Sequence, residues 1–221
     1  MAKISNVEVF GLASSIYRSG YPMMSRPPDE DEFAESVQSI EKAISEHRLL
    51  GRQIENPHIR RAIRLAQAKG GGHDQFLTGI VVNFDMTFSN KAWVEAERYT
   101  FLNFISSMST MHRASVLPIE ESCNQYVLQD TIARLQQLQD DYNAIDGTRY
   151  PQEKAETYLR LLYNLPSGFE LTAGMTTNYR SLKNQYQQRH DHRIPDWRLV
   201  YCPWIETLPL SGYLITGKET L

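Results

Sequence analysis

Alternating apolar and polar residues predict β-strands in three parts of the chain. Residues 4–12 and residues 79–89 show the pattern best, and in the second stretch Phe84 and Met86 alternate with polar neighbours. A period of two turns such apolar side chains to one face of a sheet. A shorter strand is predicted at residues 169–172.

Apolar residues that recur every three or four positions predict helices in most of the remaining chain. The predicted helices span residues 33–50, 57–69, 91–106, 127–145 and 152–163. The stretch SGYPMMSRPPDEDE is rich in proline and acidic residues and predicts a loop before the first of them. The tail that follows residue 198 holds many apolar residues, so we expect it to pack on the body of the protein. The sequence shows no internal repeat and no clear domain boundary.

The last predicted helix begins near Asn178, a residue type that is common at helix N-termini, and ends before Pro195. Arg180 and Arg189 are nine positions apart, so they should point to roughly opposite sides, about 13 Å apart along the helix axis. One helix would then serve two anionic ligands, or two ends of a split site. On the charge pattern alone, a basic and simply solvated surface helix is the simpler interpretation.

Three glycines, Gly70, Gly71 and Gly72, follow the second predicted helix in the sequence GGGHD. A glycine-rich loop can surround a phosphate group. This one lacks the Lys-Ser/Thr pair of a P-loop and the spacing of a dinucleotide-binding motif. A helix end followed by a flexible turn is therefore the favoured interpretation.

Length and composition fit a folded protein that buries a core, with 221 residues, 41% of them hydrophobic and 22% charged. A net charge of −3 gives no support to general nucleic-acid binding. Two cysteines are too few for a disulfide framework, so a reducing cytoplasm is the expected location. The sequence has neither a run of 18 apolar residues nor a signal peptide at its start, and we expect no membrane-spanning segment.

Nucleophilic and metal-binding motifs are missing from the sequence. Cys123 and Cys202 are expected to be buried thiols, and no serine, cysteine or histidine lies in a recognisable nucleophile pattern. His190 and His192 are two positions apart, a spacing that does not converge on a metal ion from a helix, so no metal site is predicted. Any chemistry must come from a cofactor or from positioning by arginine and asparagine side chains.

The stretch from Phe84 to Arg113 resembles the central segment of the flavin-dependent thymidylate synthase family. That family has a strand of the type F-T-F, then a helix, then R-H-R-x-x-S-x-N-x-x-S-x-R. Phe84 and Met86 take the strand aromatics, Ser106 takes the first serine of the motif, and Arg113 takes its last arginine.

The later part of the chain matches the family pattern better. The family has L-P, then N-x-R beginning twelve residues after that proline, then an arginine nine further on. These positions are held by Leu165, Pro166, Asn178, Arg180 and Arg189. The family's ending, A-Q-x-E-I-R, is echoed at residues 194–198 with one residue deleted. In all, the resemblance covers roughly residues 73–198.

The chain departs from the family pattern at positions that contact flavin and phosphate. The R-H-R triplet falls on residues 101–103, which are Phe-Leu-Asn, so the flavin-contacting motif is missing. The glutamine three positions before the triplet becomes Arg98. An arginine that helps to hold the nucleotide phosphate becomes Leu162, although Arg160 is close by.

The resemblance implies that Asn178 and Arg180 contact the flavin. His73 lies near the position of the family's folate-side histidine, and we group it with these cofactor-binding residues. The implied cofactor is FAD, with binding weakened or lost because two cations of the triplet are missing. NADPH and methylene-tetrahydrofolate are implied by the resemblance only.

On the substrate side, the resemblance implies that Arg113 contacts the phosphate, and Ser106 and Arg98 are grouped with it. It implies that Arg189 contacts the pyrimidine ring and is the residue closest to the chemistry. An arginine presents a planar fork that matches a phosphate or a uracil edge, and it would stabilise enolate charge. The family's chemistry needs no protein nucleophile.

The fold that the resemblance implies is α/β of the α+β type, a mainly antiparallel sheet flanked by helices. We expect a single domain over residues 1–221, with residues 199–221 packing on the body, and a homotetramer. The implied function is transfer of a one-carbon unit to C5 of a pyrimidine deoxynucleotide, of the dUMP-to-dTMP type. One alternative is a non-catalytic member of the same fold, an oligomeric nucleotide-binding or structural protein. A structural or interaction protein with accidental matches also stays open, and it fits the polar helix at residues 127–145.

Overall fold

The computed structural model of the protein describes residues 1–70 and 72–221. The helices are α1 (Leu12–Arg18), α2 (Glu30–Leu50), α3 (Pro57–Gln67), α4 (Asn90–Ala96), α5 (Thr110–Arg113), α6 (Gln129–Ala144), α7 (Pro151–Tyr163), α8 (Tyr179–Arg189) and α9 (Cys202–Glu206). The strands are β1 (Lys3–Phe10), β2 (Val81–Ser89), β3 (Asn103–Ser107) and β4 (Glu170–Asn178). Short 3₁₀ turns lie at Tyr21–Met23 and Gln75–Gly79, and π-helical turns at Asp196–Tyr201 and Gly212–Thr216.

In the described residues the strands form one four-stranded sheet in the order β1-β2-β4-β3. The sheet is antiparallel and is combined with helices, which confirms the predicted fold class. The strands β1 and β2 were predicted within two residues of their bounds. β4 is longer than the predicted strand at residues 169–172, because Ala173, Met175 and Thr177 continue to alternate buried side chains as far as Asn178.

The predicted helix at residues 91–106 is confirmed in its first half and wrong in its second. α4 ends at Ala96, and the chain then turns and enters β3. The aromatic residues Trp93 and Phe104, which suggested one continuous helix, do pack together with ring centroids 5.1 Å apart. They do so from a helix and a strand, so their contact is tertiary and their sequence spacing was misleading.

The chain divides into two compact units, and unit 1 comprises Met1–Ser5, Asp85–Thr100 and Phe104–Met175. α6 and α7 form a helical hairpin whose apolar stripe packs into the main core of this unit. That core contains the buried residues Ala114, Leu117, Ile119, Ile132, Leu135, Leu161 and Phe169. The thin stripe predicted for the polar helix α6 is therefore a core-facing stripe.

Unit 2 comprises Asn6–Phe84, Phe101–Asn103 and Thr176–Leu221. Aromatic residues of its C-terminal part are buried. Phe84 and Trp204 have ring centroids 4.4 Å apart, and Trp197 meets Tyr201 edge-on at 5.2 Å. The apolar tail therefore contributes to the core of this unit. The expectation of a single domain over residues 1–221 stays a prediction.

Within unit 2, the carbonyl end of α1 is bound by a side chain from α3. Arg61 donates through its Nη2 to the carbonyl oxygens of Ile16 and Tyr17, at 3.3 and 3.0 Å, and through Nε to the hydroxyl of Ser19 at 3.3 Å. Each carbonyl also accepts a local hydrogen bond, that of Ile16 from the Ser19 hydroxyl at 2.7 Å and that of Tyr17 from the Gly20 N–H at 3.0 Å, so the guanidinium is a second donor to both. Gly20 makes room for it, because a Cβ atom there would lie 2.6 Å from the guanidinium carbon.

Candidate functional site

The helix α8 begins where the sequence predicted it, directly after β4. Asn178 is its N-cap, and the side-chain oxygen of Asn178 accepts a hydrogen bond from the backbone N–H of Ser181 at 2.9 Å. This bond satisfies one of the free donors at the start of the helix. The helix ends at Arg189, six residues before Pro195. His190 and His192 therefore lie beyond its last residue.

Arg180, in the first turn of α8, is part of an ion-pair network with the 3₁₀ turn Gln75–Gly79 and the residue before it. Its Nε lies 3.2 Å from Oδ1 of Asp74, and its Nη1 donates to the side-chain oxygen of Gln75 at 2.6 Å. Lys183, one turn later, donates to Oδ2 of Asp74 at 2.9 Å and to the carbonyl oxygen of Ala66 at 2.6 Å. Asp74 thus joins two cations of one helix.

The network fixes the charge state of Asp74. Partial burial pushes the pKa of Asp74 upward, but the hydrogen bond from Lys183 and the positive charges of Lys183 and Arg180 outweigh it. The pKa of Asp74 therefore lies below its ordinary value. At neutral pH the carboxylate is ionised and neutralises part of the charge at the start of α8.

His73 precedes Asp74 in an exposed turn and is itself exposed. It follows the glycine-rich stretch GGGHD. α3 ends at Gln67, ahead of that stretch, as the interpretation of a helix end requires. Gly71 lies outside the described residues. Gly70 and Gly72 both have positive φ, which glycine adopts without strain.

Arg189, the last residue of α8, is 5% exposed. Its guanidinium carbon lies 4.7 Å from the centroid of the Trp197 ring, and its Nη1 lies 2.7 Å from Nε2 of His192. The other nitrogen of this ring, Nδ1 of His192, accepts a hydrogen bond from the backbone N–H of Ile194 at 3.2 Å. The aromatic face and the imidazole therefore hold the buried guanidinium in a defined position.

The interpretation of α8 as a basic, simply solvated helix is therefore wrong. One face is buried, and it carries Tyr179, Leu182, Gln185, Tyr186 and Arg189. Within the described residues, the two arginines of α8 both have side-chain partners. The partners of Arg180 include the carboxylate of Asp74, and those of Arg189 include the ring of Trp197.

The residues that we assigned to substrate binding in unit 1 are all exposed. Arg98 lies in the turn after α4, Ser106 lies in β3, and Arg113 is the last residue of α5. No hydrogen bond or ion pair joins these three side chains in the described part of the chain. Their assignment to a substrate site stays a prediction, as does that of Asn178, Arg180, Arg189 and His73 in unit 2.

The positions of the missing cationic triplet are occupied by residues of a different character. Leu102 is 5% exposed and belongs to the core, whereas Phe101 is 60% exposed. A buried leucine offers no group to an anionic cofactor. Asn103 begins β3 and is exposed, so its amide is the polar group that the triplet retains.

The two cysteines show no sign of acting as nucleophiles. Cys202 is buried, and burial, followed by the charge of Glu206, raises the pKa of its thiol to about 12. Cys123 is half-buried, and its pKa is raised by burial and by Glu170.

Among the residues that the structure describes, no three of His, Cys, Asp or Glu are grouped to hold a metal ion. Over the same residues, every helix is too short or too polar to cross a bilayer.

Sequence reasoning missed the partners of both arginines. Asp74 lies 106 residues before Arg180, and no local spacing indicates that they meet. The contact of Arg189 with Trp197 could have been suspected from the sequence, because this aromatic residue follows the basic run at a short distance. The packing of Arg189 on it depends on the turn between α8 and the π-helical turn Asp196–Tyr201.

The fold defines a class of protein that is known from solved structures. The chain matches a structure of thymidylate synthase X (ThyX) from Helicobacter pylori with FAD and dUMP, at a TM-score of 0.58 and 14% identity, over 98% of each chain. It matches a second structure of that flavin-dependent thymidylate synthase, complexed with FAD and dUMP, at a TM-score of 0.57 and 14% identity. That match covers 97% of this chain and 98% of the other.

No protein-family model and no curated protein sequence matches the chain. At 14% identity, the likeness to the solved structures shows the fold and leaves the activity to be tested. The chain therefore has the fold of the flavin-dependent thymidylate synthases over nearly its whole length.

Proposed function

We propose that the protein binds a pyrimidine deoxynucleotide and transfers a one-carbon unit to its C5, in a reaction of the dUMP-to-dTMP type. The observation that carries the proposal is the fold match over 98% of the chain to a structure with FAD and dUMP. A second line of support is that Asn178, Arg180 and Arg189 keep the family's spacing at one continuous helix and its cap.

Arg189 is the residue that we place at the pyrimidine ring. Its guanidinium is desolvated and its plane is restrained by Trp197, so its N–H donors are held in fixed directions. Donors that are fixed before the reaction stabilise a developing enolate oxygen without a reorganisation cost. In this role Arg189 binds a carbonyl oxygen of the ring and lowers the energy of the charge that forms when C5 reacts.

On the phosphate side we place Arg113, with Ser106 and Arg98 as further contacts. All three side chains are exposed in unit 1 and are of the types that bind phosphate oxygens. A guanidinium fork and a hydroxyl donor orient a nucleotide and hold its ring end in place for reaction. This role is binding and orientation only.

FAD would be held by Asn178, Arg180 and His73. The side chains fit it in part, because His73 is exposed and the Asn178 amide and Arg180 carry N–H donors. When bound, FAD supplies the hydride for reduction of the transferred carbon, and NADPH and methylene-tetrahydrofolate are the matching reductant and carbon donor. Arg180 is already paired with Asp74 and residues 101–103 carry no cation, so we expect FAD binding weaker than in the family.

We further propose that the protein is a homo-oligomer, as a tetramer, that works in the cytoplasm. β3 is one of the two edge strands of the sheet in the described residues, and all five of its residues are exposed. Exposed edge strands with apolar side chains such as Phe104 and Ile105 are normally covered. Light scattering is expected to give a multiple of 25.5 kDa, and a species of that single mass at micromolar concentration would count against the tetramer.

Calorimetric titration of dUMP into the protein with added FAD tests the pyrimidine site. We expect Arg189→Ala to weaken dUMP binding about ten- to a hundredfold, which corresponds to about 1.5–3 kcal/mol for a hydrogen bond to a charged group. Arg189→Lys should rescue poorly, because an ammonium lacks the planar fork. Arg193→Ala, at an exposed arginine four residues later, is the matched control.

Circular dichroism of each variant separates loss of binding from loss of fold. Wild-type protein that binds no dUMP, or equal binding by all the variants, would sink the assignment of Arg189. Tritium release from C5-labelled dUMP, with NADPH, FAD and methylene-tetrahydrofolate present, then tests the reaction itself.

The second candidate is a non-catalytic protein of the same fold that binds nucleotide or supports an assembly. The buried Leu102 and the exposed Phe101 replace two residues of the triplet, and the exposed Met108 and Met111 take the positions of the motif's asparagine and second serine. Apolar groups therefore stand where the family pattern has polar ones, which favours this candidate. This candidate gives dUMP binding or oligomers without tritium release. The proposed enzyme gives both binding and release.

A further inference from the structure

The hairpin of α6 and α7 in unit 1 contains a groove that takes no part in the proposed pyrimidine site. It has a volume of about 550 Å³, within the range of small-molecule pockets. Residues of both helices line it, namely Thr131, Arg134, Leu135, Gln137, Leu138, Asp141, Arg160 and Asn164.

One end of the groove is rich in hydrogen-bond donors. Thr131 and Arg134 lie near the start of α6, and Arg160 and Asn164 lie at the end of α7 and just after it. In an antiparallel helical hairpin, the start of the first helix lies beside the end of the second. Two guanidinium groups, a hydroxyl and an amide thus line the same end.

The charge of these arginines is poorly compensated within the protein. Arg134 has no hydrogen bond or ion pair in the described part of the chain. Among the described residues, Arg160 reaches one carboxylate, that of Glu156, at 4.0 Å, and both of those side chains are exposed. An exposed pair at that distance contributes little. Two cations that line one groove favour an anion between them, because a guanidinium matches phosphate oxygens in its plane.

Arg160 lies close to the position where the family pattern has its phosphate-holding arginine. The family pattern has a phosphate-holding arginine where this chain has Leu162, and Leu162 packs against the core of unit 1. Arg160, two residues earlier, lines the groove on α7 instead. Its guanidinium therefore serves the groove.

The middle of the groove is apolar and its far end is acidic. Leu135 is buried and Leu138 is half-buried, so that they form a floor on which a flat ring can lie. Asp141 accepts a hydrogen bond from Gln137 at 2.8 Å. Asp141 is seven residues from Arg134, about 10 Å along the helix axis, so only the donor-rich end attracts an anion.

We propose that this groove binds a phosphorylated small molecule with a planar ring, of the nucleoside monophosphate class. The phosphate lies between Arg134 and Arg160, with Thr131 and Asn164 as further donors. The ring lies on Leu135 and Leu138. The site is separate from the pyrimidine site that we assign to Arg189.

Calorimetry with adenosine 5′-monophosphate as the probe tests the site, with adenosine and inorganic phosphate as matched ligands. The monophosphate should bind, and adenosine, which lacks the charge, should bind at least tenfold more weakly. Inorganic phosphate, which lacks the ring, should also bind more weakly. Arg134→Ala and Arg160→Ala should each lower the affinity for the monophosphate about tenfold.

Arg149→Ala is the matched control, because Arg149 is an exposed arginine of the connection between α6 and α7 that does not line the groove. It should leave the affinity unchanged. The proposal would be contradicted if the monophosphate did not bind, or if all three variants lost the same affinity for it. It would also be contradicted if Arg189→Ala lost affinity for the monophosphate while Arg134→Ala bound it fully. Unchanged binding of adenosine 5′-monophosphate in Arg189→Ala, together with its loss in Arg134→Ala and Arg160→Ala, shows that the groove is separate from the pyrimidine site.

Discussion

Two guanidinium groups at the two ends of α8 carry the same charge in different surroundings. The side chain of Arg180 is 36% exposed and meets a carboxylate and an amide. Arg189 is 5% exposed and lies on an indole ring. Solvent screens the first and hardly reaches the second.

The difference shows how one helix can assign distinct tasks to identical residues. A partly solvated arginine can be replaced by water and ions when it is removed, so its contribution to stability is small. A buried arginine leaves behind a desolvated ring face when it is removed. The buried end is therefore expected to be the rigid one, and the following substitutions test this, from the largest effect to the smallest.

Arg189→Ala is expected to lower the free energy of unfolding by about 3 kcal/mol, because a desolvated cation–π contact and a charged hydrogen bond are lost together. Urea denaturation measures the change, with Arg193→Ala as the control that should stay within about 0.5 kcal/mol. An Arg189→Ala variant as stable as the control would mean that the burial of this guanidinium has no energetic weight.

Lys183→Ala is expected to cost about 2 kcal/mol, since its ammonium group binds both Asp74 and the carbonyl oxygen of Ala66. The side chain is 18% exposed, less than that of Arg180. Urea denaturation again gives the value, and Lys183→Met separates the hydrogen bonds from the packing of the side-chain stem. A loss restored in full by methionine would show that packing alone matters.

Asp74→Asn is expected to cost about 1 kcal/mol at neutral pH and almost nothing in acid. The folded-state pKa of Asp74 is lowered, so its ionised form stabilises the fold above the unfolded-state pKa of about 3.9. That contribution is lost as the pH falls through the folded-state pKa. Unfolding in urea at a series of pH values should show a shallower loss below about pH 4 in the variant, and parallel curves would contradict this.

Arg180→Ala is expected to cost about 0.5 kcal/mol, the smallest of these effects, because its ion pair with Asp74 is partly solvated and Lys183 still holds that carboxylate. The change should shrink further in 0.5 M salt. A cost at Arg180 that equals the cost at Arg189 would remove the contrast between the two ends of the helix.

The elements with a clear period were predictable from the sequence. α8 was found from its asparagine cap and its apolar spacing, and β2 from its strict alternation. β3 was missed because all five of its side chains are exposed, so the alternation that marks a half-buried strand is missing. The helical spacing of Trp93 and Ala96 carried the predicted helix past its true end.

The surroundings of the candidate site residues could be predicted only in part. Residue type and spacing led to Arg180 and Arg189, because such features are local. The carboxylate of Asp74 and the ring of Trp197 reach these arginines through tertiary packing, and single-sequence periodicity holds no information on such contacts. The same limit applies to Arg160, whose position in the groove between α6 and α7 no local spacing indicates.

Gly20 and Arg61 have a consequence for any library of variants of this protein. A side chain at position 20 would occupy the space of the guanidinium, which would then have to release the carbonyl groups of Ile16 and Tyr17. The residues that position 20 tolerates should therefore depend on the residue at position 61. A larger residue at position 20 should be tolerated better when Arg61 is replaced by a shorter residue. A scan of single positions would miss this dependence, because the clash is with the far end of a side chain that a second substitution can shorten.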